Sequence, residues 1–245
     1  RPNLENGIAL ESGEGNVIGG TLPAQRNLIS GNQGEGIIAV SVSATNLIQG
    51  NLVGTDASGT NRLGNGGSGI YLQTRGNIVG GLLPTARNIV AANSSGISLL
   101  NAGAVSNLIA GNFVGTDVTG TRALGNTNWG VSVESAANNQ IGLTNFGGGN
   151  LISGNLANGV VISQPSATNN YVQGNLIGLD ATGSFGLGNL AAGVLISESP
   201  DDQIGPGNVI SGNGTGITLN GGNCVRARLL GNWIGLDATG RVAVG

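Results

Sequence analysis

Apolar residues recur along this chain in two short motifs rather than in long runs. The first is a glycine followed by alternation, GIxL or GVxV, opening at Gly7, Gly36, Gly69, Gly96, Gly130, Gly159, Gly193 and Gly216. The second is an asparagine followed by two apolar residues, at Asn27, Asn51, Asn88, Asn112, Asn150, Asn175, Asn208 and Asn232. The glycines lie 23 to 34 residues apart, so one short supersecondary unit is stacked on itself eight times.

Each unit reads as three short strands. In the first, period-2 alternation turns pairs such as Ile8 and Leu10, Ile70 and Leu72, or Val160 and Ile162 inward. The second strand supplies Ile18, Ile48, Val79, Ile109, Ile141, Val172, Ile204 and Leu229. The third supplies Ile29, Val53, Val90, Val114, Ile152, Ile177, Ile210 and Ile234. No stretch shows the 3.6-residue apolar period, and glycine interrupts every window of helical length. The expected fold is all-β, a parallel β-helix of eight three-stranded rungs, roughly 35 to 40 Å long at one strand spacing per rung.

The repeated asparagines suit the corners. An Asn side chain satisfies backbone groups that a turn leaves unpaired, tolerates left-handed backbone, and can bond to its equivalent in the next rung. A second corner series is Asn3, Asn32, Asn65, Asn93, Asn126, Asn155, Asn189 and Asn213. Even rungs also carry an extension, GTDASGTNRLGN from Gly54, GTDVTGTRALGN from Gly115, GLDATGSFGLGN from Gly178 and GLDATGRVAVG from Gly235 to Gly245. The true unit is therefore two rungs, present four times. Gly245 aligns with Gly64 and Asn3 with Asn65, which predicts one continuous domain over 1–245, cut in phase from a longer array.

Composition narrows the partners. The 48 glycines sit beside β-branched residues at fixed places, which is turn chemistry in an ordered β protein rather than disorder. With a net charge of −3 and no lysine there is no basic stripe for nucleic acid, and no apolar run is long enough for a membrane span. Cys224 is the single cysteine and reads as a small hydrophobe. Terminal rungs with bare sheet edges predict end-to-end self-association.

The NLISGN, GTDATGT-like and LGN blocks followed by GI or GV resemble right-handed parallel β-helix repeats of large secreted or surface proteins of bacteria, in the pectate-lyase-like superfamily. The resemblance runs the length of the chain. It implies a right-handed coil, as the rule for parallel crossovers also does, and a secreted or cell-surface location. For activity it implies no single answer, because the superfamily holds lyases, hydrolases, epimerases, tailspikes and non-catalytic adhesins.

Chemistry is sparse. Histidine is absent, which removes Ser-His and Cys-His nucleophile pairs and the usual His metal sites. On the outward places of the first strand only Glu11 and Glu134 are acidic, and they stand four rungs apart, about 19 Å, too far for a glycosidase pair. The densest polar group is Asp201 and Asp202 with Arg226, with Glu134 and Glu198 on the same side; an Asp201–Arg226 ion pair is its simplest account. Asp56, Asp117, Asp180 and Asp237 recur once per two-rung unit as xDxxG, where an Asp caps its own turn by accepting from an N–H two residues on. Calcium is the one candidate cofactor for these four loops.

One series resists this account. Leu28, Leu52, Ile89, Phe113, Leu151, Leu176, Val209 and Trp233 follow the ladder asparagines, and strict alternation sends them outward. The expected cover is the even-rung extension, through Leu63, Leu124 and Leu187; the alternatives are a corner that bends the leucine into the core and an interaction ridge. The function expected is a non-catalytic structural or binding segment of a secreted or surface protein, a spacer or a display face for polysaccharide or another surface protein. The alternative is a carbohydrate-active enzyme, a polysaccharide lyase or glycoside hydrolase.

Overall fold

The computed structural model describes residues 1–244; the alignment of Gly245 with Gly64 lies outside them. The chain is a right-handed parallel β-helix of eight rungs. Each rung contributes one strand to each of three eight-stranded parallel sheets, from Ile8–Leu10, Val17–Gly19 and Leu28–Ile29 in the first rung to Thr215–Asn220, Arg228–Leu229 and Trp233–Ile234 in the eighth. Equivalent repeat positions are true neighbours: Ile70, Ile97, Val131, Val160 and Val194 follow one another in register along the first sheet. Among the described residues no helix is long and apolar enough to cross a membrane.

The core is the stack of inward side chains. Ile70, Leu72, Ile97, Leu99, Ile109, Ile141, Ile152 and Ile177 are fully buried, each contributing roughly 1.5 to 3 kcal/mol. Leu229 and Ile234 hold the same inward positions in rung eight but are 43% and 51% exposed, because they cap the stack. The glycine that opens each first strand is fixed by crowding at the corner. A Cβ on Gly96 would lie 2.3 Å from the Gly130 carbonyl oxygen and 2.5 Å from Val114 Cγ1.

Asparagine ladders close the corners. The backbone N–H and Nδ2 of Asn51 both donate to Asn88 Oδ1, at 3.0 and 3.1 Å, and the series runs on through Asn112, Asn150, Asn175 and Asn208 to Asn232. The second series, from Asn3 to Asn213, bonds in the same way. A third ladder, beyond the two series described above, joins Asn16, Asn46, Asn77, Asn107, Asn139 and Asn170 at the remaining corner and ends on Asp202.

The outward apolar series of the third sheet is covered for much of its length. Leu52, Ile89, Phe113 and Leu151 form a second buried cluster, with Val118 and Leu176 packed on it. The cover does come from the extensions, but through their turns rather than through Leu63, Leu124 and Leu187. Leu63 is 49% exposed, and Leu124 is buried outside this cluster. The turns reach this position because they stack on one another across the intervening rung: Val118 donates to Gly59 O, Ala181 to Gly120 O and Ala238 to Gly183 O, at 3.0, 2.9 and 2.8 Å.

Candidate functional site

Alternation between rungs builds a trough over the third sheet. Even rungs raise one wall, the stacked extension turns. Odd rungs raise the other from loops between the second and third strands, which contain the short 3-10 turns Pro23–Gln25 and Pro84–Ala86. These loops bond to the neighbouring rung, with Gly50 N–H donating to Ala86 O and Gly111 N–H to Gly148 O.

Between the walls, from Leu82 in rung three to Gly207 in rung seven, lies a cleft of about 650 Å³. Its floor is Phe113, Leu151 and Leu176; Val118, Thr119 and Ala181 form the extension side; Leu82, Arg87 and Phe146 form the loop side. Phe146 is 98% exposed at the rim. A smaller hollow of about 260 Å³ continues past Gly207 to Val209, Trp233 and Ala238. At the rung-one end of the stack, Arg26, Leu28 and Ser30 border a separate hollow that also takes in Gly7, Ile8 and Ile29.

The extension wall is polar in a repeated way. Asp117 Oδ1 accepts from the Thr119 hydroxyl at 2.7 Å and from the N–H groups of Thr121 and Arg122 at 3.3 and 3.4 Å. Asp56, Asp180 and Asp237 do the same with Ser58, Thr182 and Thr239 and with backbone N–H groups four and five residues on. The backbone contact two residues on, expected from the turn type, is found only from Thr239 to Asp237; elsewhere a hydroxyl fills that place. These bonds hold the carboxyl of Asp56 far below the usual carboxylate range, led by Asn61 and Ser58. In Asp237 the Arg241 N–H is the largest of several bonds that lower the carboxyl in the same way. Among the described residues, no three acidic or thiol groups gather as a metal site would require.

Arg87 is the only charged side chain lining the cleft. Its guanidinium lies 3.8 Å from the Phe113 ring centroid and its Nε donates to Gly111 O at 3.2 Å. Burial pulls its pKa down from the ordinary arginine value.

The other acidic residues singled out from sequence lie elsewhere, on the first sheet and the corner after it. Asp201 and Arg226 form a two-pronged ion pair, Nε to Oδ1 and Nη2 to Oδ2 both at 2.6 Å, and Arg226 keeps the Asp201 carboxyl below its usual range. Asp202 does not join them. It is buried, occupies the third ladder's asparagine position, and its Oδ1 accepts from Asn170 N and Nδ2 at 2.8 and 3.2 Å. Burial pushes its pKa up to about 6 against the opposing bonds from Ser199 and Asn170. Glu198 accepts from the Asn223 N–H, and Glu134 ends its strand in register with Ser163. Sequence reasoning passed over Glu35, whose Oε2 is buried without a partner and whose pKa burial raises. It also passed over Phe146, which no repeat pattern distinguishes from ordinary loop residues, and over Arg87, although GGLLPTARN at 80–88 repeats GGTLPAQRN at 19–27.

No family model and no curated protein matches the chain. Among solved structures it is similar to the crystal structure of the periplasmic alginate epimerase AlgG, with a TM-score of 0.61 and 17% identity over 92% of this chain and 47% of that one. A point mutant of the same epimerase gives a TM-score of 0.66 and 17% identity over 94% and 47%. The chain thus spans about half the length of these neighbours, and at this identity the likeness shows the fold.

Proposed function

We propose that this parallel β-helix engages polysaccharide along the trough of its third sheet, as part of a carbohydrate-active protein working outside the cytoplasm. The observation that carries the reading is the cleft itself. It is open, elongated along the stack, floored by apolar side chains and edged by hydroxyls and an exposed phenylalanine, the mixture that sugar rings with their apolar faces and hydroxyl rims require. An inert spacer needs no such trough. The alginate epimerase among the structural neighbours supports the same broad substrate class and a periplasmic or extracellular setting.

Catalysis is the second reading, favoured because that neighbour is an enzyme. Its candidate groups here are Glu134, Glu198 and the Asp201–Arg226 pair, all outside the trough. Titration calorimetry with a panel of neutral and acidic oligosaccharides tests the binding reading: Phe146→Ala should weaken binding about fivefold or more by removing the stacking face. Failure of every oligosaccharide to bind refutes it. Unsaturated or epimerised sugar appearing in the same samples, and lost in Glu134→Gln or Glu198→Gln, would establish the catalytic reading.

A further inference from the structure

The two arginines of the loop wall are copies of one position. GGTLPAQRN at 19–27 and GGLLPTARN at 80–88 place Arg26 and Arg87 directly after equivalent 3-10 turns. Each donates its Nε to the corner glycine of the next rung, Gly50 O at 3.0 Å and Gly111 O at 3.2 Å. That bond, with Phe113 under the Arg87 guanidinium, fixes the plane of the group and leaves the Nη atoms without a protein acceptor. Neither arginine has a carboxylate partner. Among the described residues the only ion pairs are Arg75 with Glu14 and Arg226 with Asp201.

Arg26 is exposed; Arg87 is half-buried, and its oriented, unpaired guanidinium is an incomplete electrostatic arrangement. Its charge has lost part of its hydration, as the lowered pKa of Arg87 reflects, and no protein anion compensates. The extension wall opposite offers no competitor, because its four aspartates turn their oxygens onto their own hydroxyls and N–H groups. Arg26 and Arg87 stand one two-rung unit apart, about 9.6 Å along the stack, a length that one extended disaccharide covers.

From this spacing we infer that Arg26 and Arg87 are paired anion-binding positions, and that the trough takes an acidic polysaccharide whose same-side anions recur at every second sugar. The inference rests on the polysaccharide reading and adds the charge and period of the polymer. A flat chain of uronates, in which successive carboxylates face opposite sides, meets that condition. So does a sulfated polymer with one anion per disaccharide.

The test is calorimetry with a dimer-to-hexamer series of oligouronates, a sulfated series of the same lengths, and cello-oligosaccharides as the uncharged control. Arg26→Gln and Arg87→Gln should each weaken acidic-hexamer binding about tenfold. Arg87→Lys, which keeps the charge, should recover most of that loss, which a folding defect would not allow. The two acidic series distinguish carboxylate from sulfate. Acidic hexamer binding that is unchanged in both glutamine variants, or matched by the uncharged hexamer, overturns the inference. If uncharged oligomers bind and Phe146→Ala weakens them, the polysaccharide reading survives without it; if nothing binds, both fall.

Discussion

Asp202 sits where the third ladder elsewhere has asparagine, and replacing it with asparagine should stabilise the protein in a pH-dependent way. In rungs two and three, Asn46 and Asn77 donate from Nδ2 to the hydroxyl three residues earlier, Ser43 at 2.8 Å and Thr74 at 3.1 Å. In rung seven the equivalent hydroxyl, Ser199, contacts both Asp202 Oδ2 and Ala167 O. One hydroxyl proton cannot serve two acceptors. The arrangement closes when Asp202 is neutral, its Oδ2–H donating to Ser199, whose O–H donates to Ala167 O. Burial favours that form and raises the pKa from 3.8 to about 6 against the bonds from Ser199 and Asn170, with the Asp201 charge adding to the effect. Between those values the folded chain keeps a proton that the unfolded chain has lost. Stability therefore falls as pH rises through that window and stays low above it, by roughly 3 kcal/mol in all. Asp202→Asn supplies the donor at every pH and removes the charge. Its melting midpoint should exceed wild type by roughly 6 to 12 °C at pH 8 and match it near pH 4. Thermal and urea unfolding across that range provide the measurement. A destabilised variant at pH 8, or a gap that does not change with pH, would refute the argument.

Asn112→Ala should cost roughly 2 to 3 kcal/mol by leaving Asn88 N without a partner and taking one bond each from Asn88 Nδ2 and Val79 O in a dry corner; hydrogen exchange should show protection lost around rungs three to five first. Asp117→Ala should cost about 1 to 2 kcal/mol by loosening the turn that covers Phe113 and Leu151, and should raise the fluorescence of an added hydrophobic dye. Millimolar calcium should leave the wild-type melting midpoint unmoved, since the Asp117 oxygens already serve their own turn; an upward shift abolished by Asp117→Ala would make these loops calcium ligands.

Repetition made most of the fold readable. When Ile70, Ile97, Val131 and Val160 occupy one place in successive repeats, their register follows without any knowledge of the coil, and it is the register found. The third ladder was equally legible, since NVIG, NLIQG, NIVG and NLIAG share the asparagine-apolar-apolar signature, and DQIG shows its last member replaced by aspartate. The trough was not. Its walls come from loops of odd rungs and turns of even rungs, so residues that meet there, such as Leu82, Gly147 and Ala181, share neither a repeat position nor a sequence neighbourhood. Alternation correctly sends Phe113 outward, but it carries no information about a turn from the same rung closing over it, nor about Val118 rather than Leu124 doing so.

The stacking of extension on extension sets a parity rule for the history of such a rod. A single rung could be lost from the sheets and ladders with little local disturbance, because each rung presents the same edge to the next. The bonds from Val118 to Gly59, from Ala181 to Gly120 and from Ala238 to Gly183 skip one rung each time. Removing or adding one rung would set two extensions against each other, or two odd-rung loops, and break both walls of the trough. Length can therefore change without penalty only in steps of two rungs, so gene duplications that lengthen or shorten proteins of this design should survive as whole pairs.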